Sequence, residues 1–254
     1  MSRKTRWILF ILSILVFTAA SYGVVVYALG YEYDFSTRQF VRTGSFRVVA
    51  NTDSSVLIND VQSGNTSFLS NSFSKGLLMP RSYRVALKKD GYHLWQKNVT
   101  VYAGFFIDFP KVVLLPKELS EETIPSNSFS ILVLPRPLPA PSIVSPDENK
   151  ELLINRGDVS LQWLNESGYQ PYDKAGMTEL IARFPQNIVG AWWYRDSNHV
   201  IIQTGSLIKF LEIDKRGGLN IFDIGSSPFP ALYNRNENAL YFWREGVLVK
   251  AQLE

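Results

Sequence analysis

Cysteine is absent from this 254-residue chain. Its absence excludes a disulfide framework, a thiolate zinc site, an iron–sulfur cluster, a catalytic thiol and a lipidated N-terminal cysteine. Histidine is scarce: only His93 and His199 occur, so an imidazole metal site or a Ser-His-Asp triad would have to use one of them. No Gly-rich phosphate loop is present, since Gly217-Gly218 stands alone as a turn between strands. Acidic residues are missing before Glu32, and that locates the net charge of +3. Arg3, Lys4 and Arg6 carry it; from residue 31 onward the remaining 23 basic residues face 23 acidic ones. A neutral remainder has no overall field for DNA, RNA or anionic lipid, so nucleic acid is not an expected partner.

What is present begins with an apolar run. Trp7 to Leu29 holds 23 residues without a charge, behind the basic lead of residues 1–6. As a helix it would measure about 34 Å, against a hydrocarbon core of roughly 30 Å. Trp7 at one end and Tyr27 and Tyr31 at the other suit the two interfacial belts, and Lys and Arg lie on the N-terminal side alone. The expectation is a cytoplasmic tail (1–6), a transmembrane signal-anchor helix (7–29) and a single-pass protein whose bulk is extracytoplasmic. A cleaved signal peptide, cut near Thr18-Ala19-Ala20, is the competing reading. The run continues through Val24-Val25-Val26, which a cleavable segment does not need.

Past the span the periodicity changes to two. Tyr83, Val85 and Leu87 alternate with Arg84, Ala86 and Lys88, as in a half-buried antiparallel strand. Gly44 to Ala50, Ser55 to Ile58 and Val99 to Tyr102 read as further strands, with turns at Asn59-Asp60, Asp90-Gly91 and Ala103-Gly104. Some seven short strands closing at Leu115-Pro116 predict a small β-sandwich over 43–116. Residues 117–142 read as an extended Pro-rich linker, because Pro135-Arg-Pro-Leu-Pro-Ala-Pro141 cannot sit in a sheet centre. Glu121 and Glu122 are then solvated spacer residues.

Residues 143–254 contain a repeat. Ser145-Pro-Asp-Glu-Asn-Lys150, Tyr194-Arg-Asp-Ser-Asn-His199 and Asn234-Arg-Asn-Glu-Asn-Ala239 each precede an apolar strand, a glycine turn (Gly157, Gly205, Gly246) and a second strand. Asp147, Asp196 and Asn236 align, at offsets of 49 and 40 residues. The physical reading is an Asx turn entering a buried hairpin three times, at the period of propeller blades. Helix-like or loop insertions such as Tyr172 to Arg183 would separate the hairpins. Three units are fewer than closed propellers usually have, so an open stack and a ring completed by other material both remain.

Residues 43–116 resemble a PEGA domain, a small β module of bacterial and archaeal envelope proteins. The resemblance rests on Thr43-Gly-Ser-Phe-Arg-Val48, the turn Ile58-Asn-Asp60, Leu78-Met-Pro-Arg-Ser-Tyr-Arg-Val85, Lys89-Asp-Gly-Tyr-His-Leu-Trp95 and the closing Leu115-Pro116. Arg81 stands where the family has glycine, and Asn51 to Ser55 replaces the Pro-Glu-Gly-Ala element. The later repeats are similar to blades of TolB-like or WD-type propellers. These resemblances imply an all-β ectodomain, a PEGA-like β-sandwich plus partial propeller-like repeats, behind one N-terminal transmembrane helix. They also imply an adhesion or binding module without catalytic activity.

The chemistry-bearing residues have competing readings. His93 lies between Tyr92 and Trp95, and the position of His199 is filled by Lys150 and Ala239 in the sister repeats, which argues against a catalytic role. Asp147-Glu-Asn149 offers oxygens for calcium but is explained by turn chemistry. Trp192, Trp193, Tyr241 and Trp243 read as blade core, with a sugar-binding platform as the alternative, and Trp95, near Tyr92, divides more evenly between the two. Asn65, Asn98 and Asn165 stand in glycosylation sequons. The leading expectation is a non-enzymatic envelope protein that needs no cofactor or metal and binds cell-wall polymer, surface polysaccharide or an envelope protein. The alternatives are a glycan hydrolase using carboxylates of the repeat loops, or a scaffold subunit of an envelope complex.

Overall fold

The structure, a computed structural model, describes residues 2–125 and 142–253. The proline run 135–141, expected as linker, lies outside the described residues. The N-terminal segment is one helix, α1 (Arg3–Ala28), capped by Ser2, whose hydroxyl accepts from the Thr5 amide at 3.2 Å. Its faces are apolar all round and none is buried. It is long and apolar enough to cross a membrane. Gly30, at φ 79°, ends it, donating to the Tyr27 carbonyl at 2.9 Å; the left-handed conformation is where glycine has no Cβ penalty.

The rest is β. After the helix come β1 (Tyr31–Asp34) and β2 (Gln39–Arg42), a two-stranded hairpin. Seven strands follow: β3 (Gly44–Ala50), β4 (Ser55–Ile58), β5 (Val61–Asn65), β6 (Ser72–Leu78), β7 (Ser82–Lys88), β8 (Trp95–Thr100) and β9 (Phe106–Val112). They form two sheets, ordered β6-β3-β9 and β5-β4-β7-β8. Burial alternates along β3 and β8, as their side-chain period requires. The predicted turns are in place: Asn59 (φ 51°) and Asp60 (φ 65°) make the two-residue connection between β4 and β5, and Gly91 and Gly104 also have positive φ.

Twelve further strands make three four-stranded antiparallel sheets. The first contains β11 (Ser142–Val144), β12 (Lys150–Asn155), β13 (Asp158–Trp163) and β14 (Thr178–Arg183), in that order. The second, also in chain order, contains β15 (Ile188–Trp193), β16 (His199–Thr204), β17 (Leu207–Glu212) and β18 (Ile221–Ser226). In the third, β19 (Leu232–Asn234), β20 (Ala239–Arg244) and β21 (Val247–Gln252) are joined at the outer edge by β10 (Ser120–Ile124).

Two sequence expectations change here. Thr178 to Arg183 is a strand, not a helix-like insertion: it covers the edge of β13, with a bulge at Val159/Ser160, and buries Ile181 and Ala182. Residues 120–124 are a strand and not an extended spacer, although Glu121 and Glu122 are exposed as the sequence suggests. They pair with β21 in register from Ser120↔Gln252 to Ile124↔Leu248, and Glu121 is held by both terminal nitrogens of Arg244 at 2.6 and 2.9 Å. The carboxylates do face solvent, and the backbone of the strand satisfies the open edge of β21.

The described residues fall into two compact units. One contains α1, the hairpin and the stretches 74–83 and 100–108; the other contains 48–73, 84–99 and everything from 109 onward. In the second unit, apolar side chains of the first and second sheets share one core, including Leu161, Trp163, Ile188, Val200 and Leu211. Side chains of the second and third sheets share another, including Tyr194, Phe210, Leu240 and Phe242. Gly157 permits a close approach: a Cβ there would stand 2.1 Å from the Phe184 carbonyl oxygen. Gly157→Ala is therefore expected to cost about 1–3 kcal/mol, as overpacking does, read as a lowered midpoint in thermal unfolding.

Candidate functional site

The Asp turns of the repeats set one end of the first two sheets. In the first, the Asp147 carboxylate accepts from Ser145 Oγ at 2.6 Å and the Asn149 amide at 3.3 Å, and holds Lys150 Nζ at 3.1 Å. In the second, Asp196 accepts from the amides of Asn198 and His199 at 2.8 and 3.0 Å and holds His199 Nδ1 at 2.7 Å. The position three residues on, occupied by Lys150 and His199, therefore places a side-chain nitrogen on the turn carboxylate. The third turn departs from this: its loop (235–238) is one residue shorter, and the acceptor is Asn234, not Asn236. The corresponding position there is Ala239, which is buried.

His199 is fully enclosed, stacked on Phe210 at 4.9 Å with the Tyr194 ring edge-on at 6.2 Å. Burial pulls its pKa down, but the Asp196 carboxylate outweighs this, so the net shift is upward. Burial raises the Asp196 carboxyl while His199 lowers it, with a net shift downward. His93 stacks on Phe222 at 4.7 Å, and burial lowers its pKa.

The aromatic residues follow the core reading for the most part. Trp193, Tyr241 and Trp95 are buried, and Trp192, Trp243 and Tyr92 are half-buried; Tyr194 and Phe242 are buried as well. Trp95 is not a sugar platform: it is 1% exposed and donates Nε1–H to Glu212 Oε2 at 3.1 Å. The sequence reading missed what lies beside it. Lys97, enclosed on every side, sits 3.0 Å from Glu212 and donates to the carbonyls of Asp214 and Gly218, the latter at 2.7 Å. Asn220 adds a bond to Glu212 at 2.8 Å, and the Gly217 carbonyl accepts from the Asn98 amide at 2.7 Å. A lysine in phase with Trp95 and Val99, on the buried face of β8, was the available signal.

The groove that could receive a ligand lies at the same end. Two adjoining cavities of about 350 and 440 Å³ share Pro110, Lys111, Trp163, Gln170, Pro171 and Asn198. Trp163 stands opposite Lys150 in the β12–β13 register, and the Lys150 ammonium lies 5.3 Å from its ring centroid. Its Nε1–H is buried without an acceptor. The larger cavity combines four amides, Asn149, Asn165, Gln170 and Asn198, with the Asp147–Lys150 pair, Lys111 and Glu166, beside the exposed ring of Tyr169. Of the sequon residues, Asn165 is thus at the groove, while Asn65 lines a separate open polar cleft with Thr52, Ser54 and Lys89.

The smaller cavity carries charge, most of it paired. Arg216 grips the Asp214 carboxylate at 2.6 Å, donates to Gln170 Oε1 at 2.7 Å and lies over the Phe109 ring at 4.6 Å. Lys215 pairs with Glu179 at 2.7 Å. Asp173 differs: burial, then Glu179 and Asp214, raise its pKa. Among the described residues no group of three or more His, Asp or Glu side chains is placed to hold a metal ion.

No family model matches the chain, and no curated protein matches it. Among solved structures, the extracellular domain of a protein assigned as a hybrid two-component system of B. thetaiotaomicron aligns at 11% identity and a TM-score of 0.32. The alignment covers 88% of this chain and 31% of that one, so the chain spans about a third of its length. A protein of unknown function from Bacteroides fragilis, assigned as membrane-associated, aligns at 10% identity and a TM-score of 0.23, covering 83% and 94%.

Proposed function

We propose that this chain is an envelope protein held in the membrane by α1, with residues 1–6 cytoplasmic and the β region outside, and that it binds a neutral glycan polymer without catalysis. The PEGA-like and propeller-like readings of 43–116 and 143–254 belong to the same proposal. The observation that carries it is the amide-lined groove beside Tyr169. Amide groups donate and accept toward hydroxyls, an exposed ring offers a face to a sugar, and the basic Lys111 and Lys150 are balanced by the acidic Asp147 and Glu166 in the same lining, which leaves no net charge to select an ionic ligand.

Co-sedimentation of the full-length chain, in nanodiscs, with isolated cell wall tests this. Tyr169→Ala combined with Asn165→Ala is expected to weaken retention about tenfold, the equivalent of ~1.4 kcal/mol for one lost ring contact and one hydrogen bond. Retention unchanged by the pair of substitutions would place binding elsewhere. A hydrolase is the second reading, favoured by Asp173 alone: a carboxyl with a raised pKa beside two other carboxylates is the setting of a general acid. Release of reducing ends from cell-wall glycan, abolished by Asp173→Asn, would establish it; an inert wild-type chain would remove it.

A further inference from the structure

The unit that contains α1 carries aromatic side chains that no core absorbs. In the hairpin, Tyr33 packs edge-on against Phe35 and Phe40, at 5.1 and 5.3 Å, yet Phe35 is 86% exposed and Phe40 62%. In the turn before β9, Tyr102 and Phe105 meet at 6.3 Å and both are also exposed. Exposed aromatics gathered in this way mark a surface that meets something.

Thr43 joins these elements to the end of the helix. Its amide and its hydroxyl both donate to the Gly30 carbonyl at 2.8 Å, and its carbonyl accepts from the Gly104 amide at 3.0 Å. The Arg42 guanidinium lies against Gly104, where a Cβ would meet it at 2.9 Å. The helix exit, the root of the hairpin and the aromatic turn therefore converge on one buried threonine.

We infer that the 31–42 hairpin and the Tyr102–Phe105 turn lie in the headgroup layer of the bilayer that α1 crosses, as an aromatic foot that seats the β region on the membrane. The inference rests on the anchor reading of α1. Aromatic rings favour this layer, where an apolar face and a polar edge are both satisfied. Lipid is the fitting occupant because the patch is continuous with the spanning helix. The headgroup layer is about 5–8 Å deep on each side. A four-residue strand is about 13 Å long, so a hairpin pointing away from the membrane would carry Phe35 into water, whereas one lying flat keeps it in the layer.

The lack of cysteine makes the test direct, since one introduced thiol takes one spin label. Full-length Val16→Cys, Phe35→Cys, Phe105→Cys and Ser63→Cys are labelled in nanodiscs of phosphatidylethanolamine and phosphatidylglycerol. Gln39→Cys keeps every aromatic ring in place. Collision with oxygen relative to a water-soluble nickel chelate then reads depth. The expected order is Val16 highest, positions 35, 39 and 105 several-fold above Ser63, and Ser63 in water. Readings at 35, 39 and 105 equal to Ser63, with Val16 high, overturn the foot and leave the anchor intact. Val16 itself in water overturns both. Shielding of 35, 39 and 105 from both reagents assigns the face to a second copy of the chain and overturns the lipid assignment.

Discussion

Glu212→Ala is expected to lower stability by about 3–5 kcal/mol, the range found when one partner of a buried ion pair is removed. For a chain of this size that corresponds to a fall of about 6–20 °C in the midpoint of thermal unfolding, measurable by circular dichroism. The magnitude follows from what one carboxylate holds. Lys97 is wholly enclosed and Glu212 is 5% exposed at its side chain. Removing the carboxylate leaves an ammonium with two carbonyl partners and no counter-charge, and strips an acceptor from Trp95 Nε1 and from Asn220. Glu212→Gln keeps an acceptor oxygen for both, so it should cost distinctly less than the alanine variant. Equal losses for the two would show that the charge carries the site and the hydrogen bonds do not.

Asp196→Ala is expected to cost about 3 kcal/mol or more, since it removes the acceptor of two turn amides and the carboxylate partner of an enclosed imidazole. The pH dependence separates these contributions. His199 has its folded pKa raised above the ordinary 6.5, so its contribution is fully present below that value and fades as pH rises through the folded pKa. Asp196 has its folded pKa lowered below the ordinary 3.8, so its contribution is present above that value and fades as pH falls through the folded pKa. Glu212 also favours the imidazolium and Lys97 opposes it. The difference in melting temperature between wild type and Asp196→Asn, which keeps the turn acceptor, should be greatest between about pH 4 and 6.5 and shrink on the alkaline side. A difference that does not vary with pH would show that the buried histidine stays neutral.

The repeat was legible because it rests on local chemistry. An Asx side chain that bonds its own backbone needs no distant partner, so Asp147 and Asp196 could be identified as turn residues from spacing alone. The same holds for Asn59-Asp60, for the alternation of β7 and for the apolar run that becomes α1. The three second strands were visible because each follows its first strand across a two-residue turn that contains the glycine.

The sequence read by itself thus determined the helix, the β class, the sites of the turns and the neutrality of the region beyond residue 31. Tertiary structure decided the rest. Ser120–Ile124 is charged and borders a proline-rich stretch, and only the open edge of β21 makes it a strand. Lys97 reads as a surface residue until Glu212 and two carbonyls surround it. The groove at Trp163 draws on Pro110, the 165–171 loop and Asn198, which lie far apart in the chain. The physical reason is range. Turn propensity, periodicity and hydropathy act over a few residues and are written in order. Edge pairing, burial of charge and the shape of a cavity depend on residues that only folding brings together.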